Sequence, residues 1–183
     1  MIKEGEERLR EDAGPQKGVF CKNTGVVLLH PFLPRFFQSI GLTGEKEKVF
    51  QNNKKRSGAV HWLHYMATGE TRASEEELTF QKFLCGLRIT EPLPPVSIDD
   101  KKHLAMADDM LRAVIEHWKA LKNTSPDGLR EGFLQRSGRL TQKQNGYLLQ
   151  PENKTQDILL GQLPWGLSVV RLPWMEHTLW VEW

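Results

Sequence analysis

His61 and His64 stand three residues apart in "AVHWLHYMATGE", a stretch that reads as a short helix closed by Gly69. Residues at i and i+3 share a helix face, so both imidazoles can reach one ion, and imidazole nitrogen is a common zinc ligand. This pair is the sequence's best basis for a metal-dependent hydrolase. The glutamate of HExxH is missing, and no third ligand is evident beside the pair. The plainer reading is two histidines at a core edge, and His30, His103, His117 and His177 are scattered enough to be read the same way. Asp99-Asp100 and Asp108-Asp109 are paired carboxylates that could bind a cation. They fall on helical patterns, where charges opposite an apolar stripe are ordinarily solvated. No serine lies in GxSxG, and no glycines form a phosphate loop or a dinucleotide fingerprint. The basic run "NNKKRSG" has no aromatic platform beside it and reads as a solvated loop. No catalytic residue, metal ligand or cofactor is therefore assigned.

Aromatic binding chemistry is the other candidate. The chain ends "LPWGLSVVRLPWMEHTLWVEW", which holds Trp165, Trp174, Trp180 and Trp183 out of 6 tryptophans in all. Trp165 and Trp174 each follow a proline, which stiffens the corners where an extended segment begins or ends. Both are expected to close the end of a sheet. Trp180 and Trp183 alternate to opposite faces of one strand, with Leu179, Val181 and Trp183 on one side and Thr178, Trp180 and Glu182 on the other. A two-layer protein buries one face easily, and tryptophan is enriched at interface hot spots. The terminal set Trp180, Trp183, Trp174, Trp165 and Arg171 is thus the candidate protein-binding surface. A pocket for a peptide or small molecule built from the same tryptophans is the competing use.

Both candidates need elements to hold them. Leu33, Phe36, Phe37 and Ile40 follow helical spacing, with Pro31 and Pro34 at the entry and Gly41 as a stop. Ser74 and Glu77 have capping-box spacing before a helix whose face carries Phe80, Phe83, Leu84 and Leu87. After the break "TEPLPPVS", Ser97 and Asp100 suggest a cap for the longest helix, over 98–121, with a stripe of Leu104, Ala107, Leu111, Val114 and Trp118. Ser125 with Pro126 at the first helical position restarts a helix. Beyond Gly138 the period changes. Asn145-Gly146 marks a two-residue hairpin, and the segments that follow alternate. The expected fold is α+β: about five helices over 19–137 packed on a small antiparallel sheet over 138–183, forming one compact domain. Residues 1–18, which mix both charge signs, read as a flexible tail.

Bulk properties narrow the functions. A net charge of +2 makes no electrostatic case for nucleic acid or an anionic membrane. No apolar run approaches the roughly 20 residues of a membrane span. The N-terminus has no apolar core of a secretory signal. Cys21 and Cys85 lie far apart without a CxxC, which points to reduced, buried thiols.

Five ordered blocks carry a resemblance: "NTGVVLLHPFLPRFF"; "YMATGE" followed by "LCGL"; "VIEHWKALKNTSPDGLREGFLQRSGRL"; "LPWGLSVVRLPWM"; and the closing "VEW". Together they resemble the C-terminal region of the contractile injection system tape measure family, from about Val19 to Trp183. The resemblance implies a non-enzymatic structural protein of a bacterial phage-tail-like particle, acting in inner-tube and baseplate-hub assembly and in tube length control. It implies partners among hub, spike or inner-tube proteins, with a homo-oligomer possible in a symmetric particle. It also implies a location in the bacterial cytoplasm during assembly and in the particle afterwards. Family members are usually much longer upstream. A ruler works by being extended, and this pattern of short amphipathic segments and proline breaks reads instead as a compact docking end.

Overall fold

Local chemistry explains where each helix of the computed structural model begins. The model describes residues 17–183, so the expected tail lies outside the described residues except for Lys17 and Gly18. Helix α1 is Leu33–Ser39, with Pro34 in its first turn and Gly41 turning the chain out at φ 76°. Helix α2 is Asn53–Thr68, ended by Gly69 at φ 75°. It starts earlier than the apolar pattern suggests. The Asn52 side chain accepts the Lys55 amide at 2.9 Å, so "NNKKR" forms the cap and first turns of a helix rather than a solvated loop. From Ala59 to Ala67 every residue of α2 is buried, which makes it the central helix.

The Ser74–Glu77 capping box is present, and it caps a 3-10 turn, Glu75–Leu78, that leads into α3, Thr79–Leu84. Helix α4, Lys101–His117, is capped by Asp100, whose carboxylate accepts the His103 amide at 3.0 Å. Helix α5 is Pro126–Leu129. Ser125 Oγ accepts the Gly128 amide at 3.1 Å, and the helix continues as a π-turn over Arg130–Leu134.

The sheet has five strands: β1 Val19–Cys21, β2 Gly138–Lys143, β3 Gly146–Pro151, β4 Val169–Val170 and β5 Thr178–Val181. Their order is β1-β2-β3-β5-β4. Two features depart from a purely C-terminal antiparallel sheet. First, β1 comes from the segment before the helices and pairs with β2, Val19 opposite Leu140. Second, β5 runs parallel to β3, so the sheet is mixed. Between β3 and β5 the chain passes through a 3-10 segment, Thr155–Gln162, and through β4, and such a long excursion allows parallel return. The hairpin between β2 and β3 has two loop residues, as expected, but they are Gln144 and Asn145. Gly146 opens β3 with φ 152°, where a Cβ would lie 2.3 Å from the Thr178 carbonyl oxygen.

One face of the sheet packs on the helices through Leu140, Leu149, Val170, Leu179 and Val181, and this surface is continuous with the helical core. The other face carries Thr141, Leu148, Trp180 and Val169 in one cross-strand row and Phe20, Arg139 and Gln150 in the next.

Candidate functional site

The C-terminal aromatics divide by what their indole nitrogens meet. Trp174 is 5% exposed, donates to the Leu84 carbonyl at 2.8 Å, and packs on Phe37 and Phe50. Trp165 donates to the Leu28 carbonyl at 3.0 Å and meets Phe32 edge-on. Both proline corners therefore pack against the helical layer and not, as expected, against the end of the sheet.

Trp180 lies within β5 and Trp183 two residues past its end, and their environments differ. Trp183 is half-buried. Its ring lies 5.1 Å from the Arg136 guanidinium, and its Nε1 donates to Asp157 at 3.1 Å. Trp180 sits on the outer face between Leu148 and Val169; Trp180 and Leu148 are part-buried and Val169 is exposed. Val169 is 55% exposed, while Lys143 and Glu182 border a shallow depression beside it. Arg171 is exposed and reaches only the Glu176 carbonyl, at 3.5 Å.

Sequence reasoning missed the centre that pins Trp183. Arg136 is fully buried and pairs with both oxygens of Asp157, at 2.6 and 2.8 Å. Its guanidinium also donates to the carbonyls of Glu152 and Gly132, while its own carbonyl accepts from Thr24. Burial opposes ionisation of Asp157, but hydrogen bonds from Arg136, the Lys154 amide and Trp183 outweigh it and hold the carboxyl below the usual range. The pair thus ties the end of α5, the 3-10 segment at 155–162 and the C-terminus together. A second buried arginine, Arg130, pairs with Asp108 and Asp127 and donates to the Met66 carbonyl. Asp108, expected to be solvated, also accepts from the Tyr65 hydroxyl. The only sequence signal for either centre is an arginine in a stretch with Gly128, Gly132 and Gly138, which is too common to single out.

His61 and His64 do share a face of α2, and both are buried, at 3% and 1% exposed. Among the described residues none of their four ring nitrogens makes a hydrogen bond of good geometry, although the backbone of Pro94 approaches His61 and that of Arg72 approaches His64, and the side-chain amide of buried Gln81 on α3 is likewise unpartnered. Burial lowers the pKa of both rings. His64 lowers that of His61 further, while Glu75 acts the other way on His61 and Glu77 on His64. Among the described residues, no three His, Cys, Asp or Glu side chains gather so as to hold a metal ion. Cys21 and Cys85 are free and buried, and burial pushes the Cys21 thiol up to about 11 and the Cys85 thiol higher still, so neither is a ready thiolate.

Among the described residues, the terminal strand thus presents a part-buried Trp180 and an exposed Val169 on the outer face of the sheet, and no metal-binding cluster gathers. A family comparison gives this arrangement a context: the model for the contractile injection system tape measure protein matches residues 1–183, the whole chain. The chain belongs to the contractile injection system tape measure protein family. No curated protein and no solved structure matches it. Tape measure proteins are structural parts of a contractile particle, so this family member works among other particle components. Among the described residues, no helix is long and apolar enough to cross a membrane. The tape measure blocks map onto the features above: "NTGVVLL" supplies Thr24, which grips Arg136, and the closing "VEW" supplies Trp183.

Proposed function

We propose that this chain is the docking end of a tape measure protein: a compact, non-enzymatic module that holds the baseplate hub, spike or inner tube of the particle while it assembles. The observation that carries this reading is the family match over the whole chain. Length control in this reading belongs to extended chain upstream of the compact part. Even a continuous helix gains only about 1.5 Å per residue, and this chain spends its residues on a packed core.

The docking surface in this proposal is the outer sheet face around Trp180. Trp165, Trp174 and Trp183 of the candidate set give their indole nitrogens to internal acceptors, so they serve the interior and not the contact. Trp180 and Val169 form its apolar centre and Arg171 lies towards its margin, an apolar core with a polar rim. The test is Trp180→Glu in cells that build the particle. Particles lacking this protein, or failing to form hubs, are expected, while the purified variant, though somewhat less stable than the parent, still unfolds in one cooperative transition. Normal incorporation of the variant would remove the face from the proposal.

A further inference from the structure

We propose that the free edge of β1, with the groove beside it, is a strand-addition site for an acidic, extended segment of another particle polypeptide. This is a second contact, on the opposite edge of the sheet from β4. Among the described residues nothing pairs with the outer side of β1. Its side chains are unusual for an open edge: Val19 is 39% and Phe20 80% exposed, one on each face. Proteins ordinarily blunt such an edge or cover it.

Val19 also borders a groove of about 480 Å³ between the sheet and the turn that follows α3. The groove's apolar lining includes Phe83, Leu140, Tyr147 and Met175, and the Phe83 and Tyr147 rings lie 4.7 Å apart. A strand laid along β1 alternates its side chains. One set would enter the groove beside Val19, and the other would cover Phe20 on the far face. Backbone pairing then supplies affinity and the groove supplies selectivity, the usual division in strand addition.

Charge defines the partner. Lys17 and Lys22 flank the two ends of β1, Arg139 lies opposite Phe20, and Arg88 stands on the groove; all four are exposed. The groove itself carries one carboxylate, Glu176, and the carboxylate of Glu77 near Lys22 is taken by Ser74. In a chain whose net charge is only +2, this is a local concentration of positive charge. It selects an acidic strand. It also disfavours a second copy of this chain, because antiparallel pairing of two β1 edges would bring Lys17 of one copy to the Lys22 end of the other.

The probe is a blocked seven-residue peptide alternating glutamate with valine and phenylalanine, titrated into the full chain and followed by amide NMR shifts. Saturable binding is expected, with the largest changes at 17–22 and 86–90, and with affinity falling as salt rises. Charge reversal by Lys17→Glu with Arg88→Glu should weaken binding about tenfold while the unfolding midpoint holds, and the lysine counterpart of the peptide should not bind. Methylating the peptide nitrogens along one edge should abolish binding, and methylating those along the other should not. Four results would overturn the proposal: no saturable binding, changes centred on β4, indifference to methylation of either edge, or binding seen only after residues 1–16 are removed. The last would assign the site to the chain's own first residues.

Discussion

Arg136 concentrates more of this fold's polar energy than any residue singled out by motif. A fully buried guanidinium that loses its carboxylate, or the reverse, leaves an unpaired charge in a low dielectric. Arg136→Met should therefore cost about 3–5 kcal/mol in a denaturant titration, as for other broken buried pairs. Trp183→Ala removes one hydrogen bond and one cation–π contact from a half-exposed ring, so about 2 kcal/mol is expected, clearly less than for Arg136. If the two variants were equally stable, the pair would not be the keystone described. The histidines give a pH signature. Both are held below their ordinary pKa by burial, so the unfolded chain binds more protons than the folded one once pH falls to about 6.5. Stability from neutral His61 and His64 is fully present above that pH and drains away as pH falls towards their lowered folded values. Unfolding curves at neutral and mildly acidic pH should show the loss, and His61→Leu with His64→Leu should flatten it.

Elements meet most closely where the segment after β1 crosses the end of α5. A Cβ on Gly25 would lie 1.8 Å from the Phe133 carbonyl oxygen and 2.7 Å from the Leu134 Cα, and these are backbone atoms, not the flexible end of a side chain. Gly25→Ala should therefore cost about 3 kcal/mol or more, at the upper end for overpacking, measured as a fall in the unfolding midpoint. Helix stops and caps were legible because they depend on neighbours in sequence: Gly41, Gly69, Asp100 and Ser125 act where their spacing puts them. The start of α2 was not, because its first turns are polar and exposed, and the apolar period begins only at Ala59. The 3-10 segment at 155–162 was likewise illegible. It has no buried residue of its own and is held by outside groups, with Trp118 donating to the Leu159 carbonyl and Arg136 to Asp157.

At the scale of the whole molecule, the sheet is closed by its last strand. Because β5 lies between β3 and β4, removing residues 178–183 takes out an interior strand together with Trp183. Circular dichroism and thermal melts of that truncation should show loss of cooperative unfolding, so a failure to enter particles would report unfolding and not docking. Trp180→Glu separates the two. Its ring lies on the outer face and is part-buried, so the change should cost about 1–2 kcal/mol but keep a cooperative transition, while removing the apolar centre of the proposed contact.

The sequence by itself determined the α+β class, the five helices and the β2–β3 hairpin, because each rests on local periodicity or turn chemistry. Its ordered blocks also carried the family. Tertiary structure alone decided that β5 runs parallel to β3 and that β1 completes the far edge, since strand pairing joins segments whose local patterns carry no register. It alone decided which tryptophans are spent inside. An indole looks the same in sequence whether its N–H meets the Leu84 carbonyl, as in Trp174, or its ring lies part-buried on the outer face of the sheet, as in Trp180. The physical difference is what the rest of the chain brings opposite it.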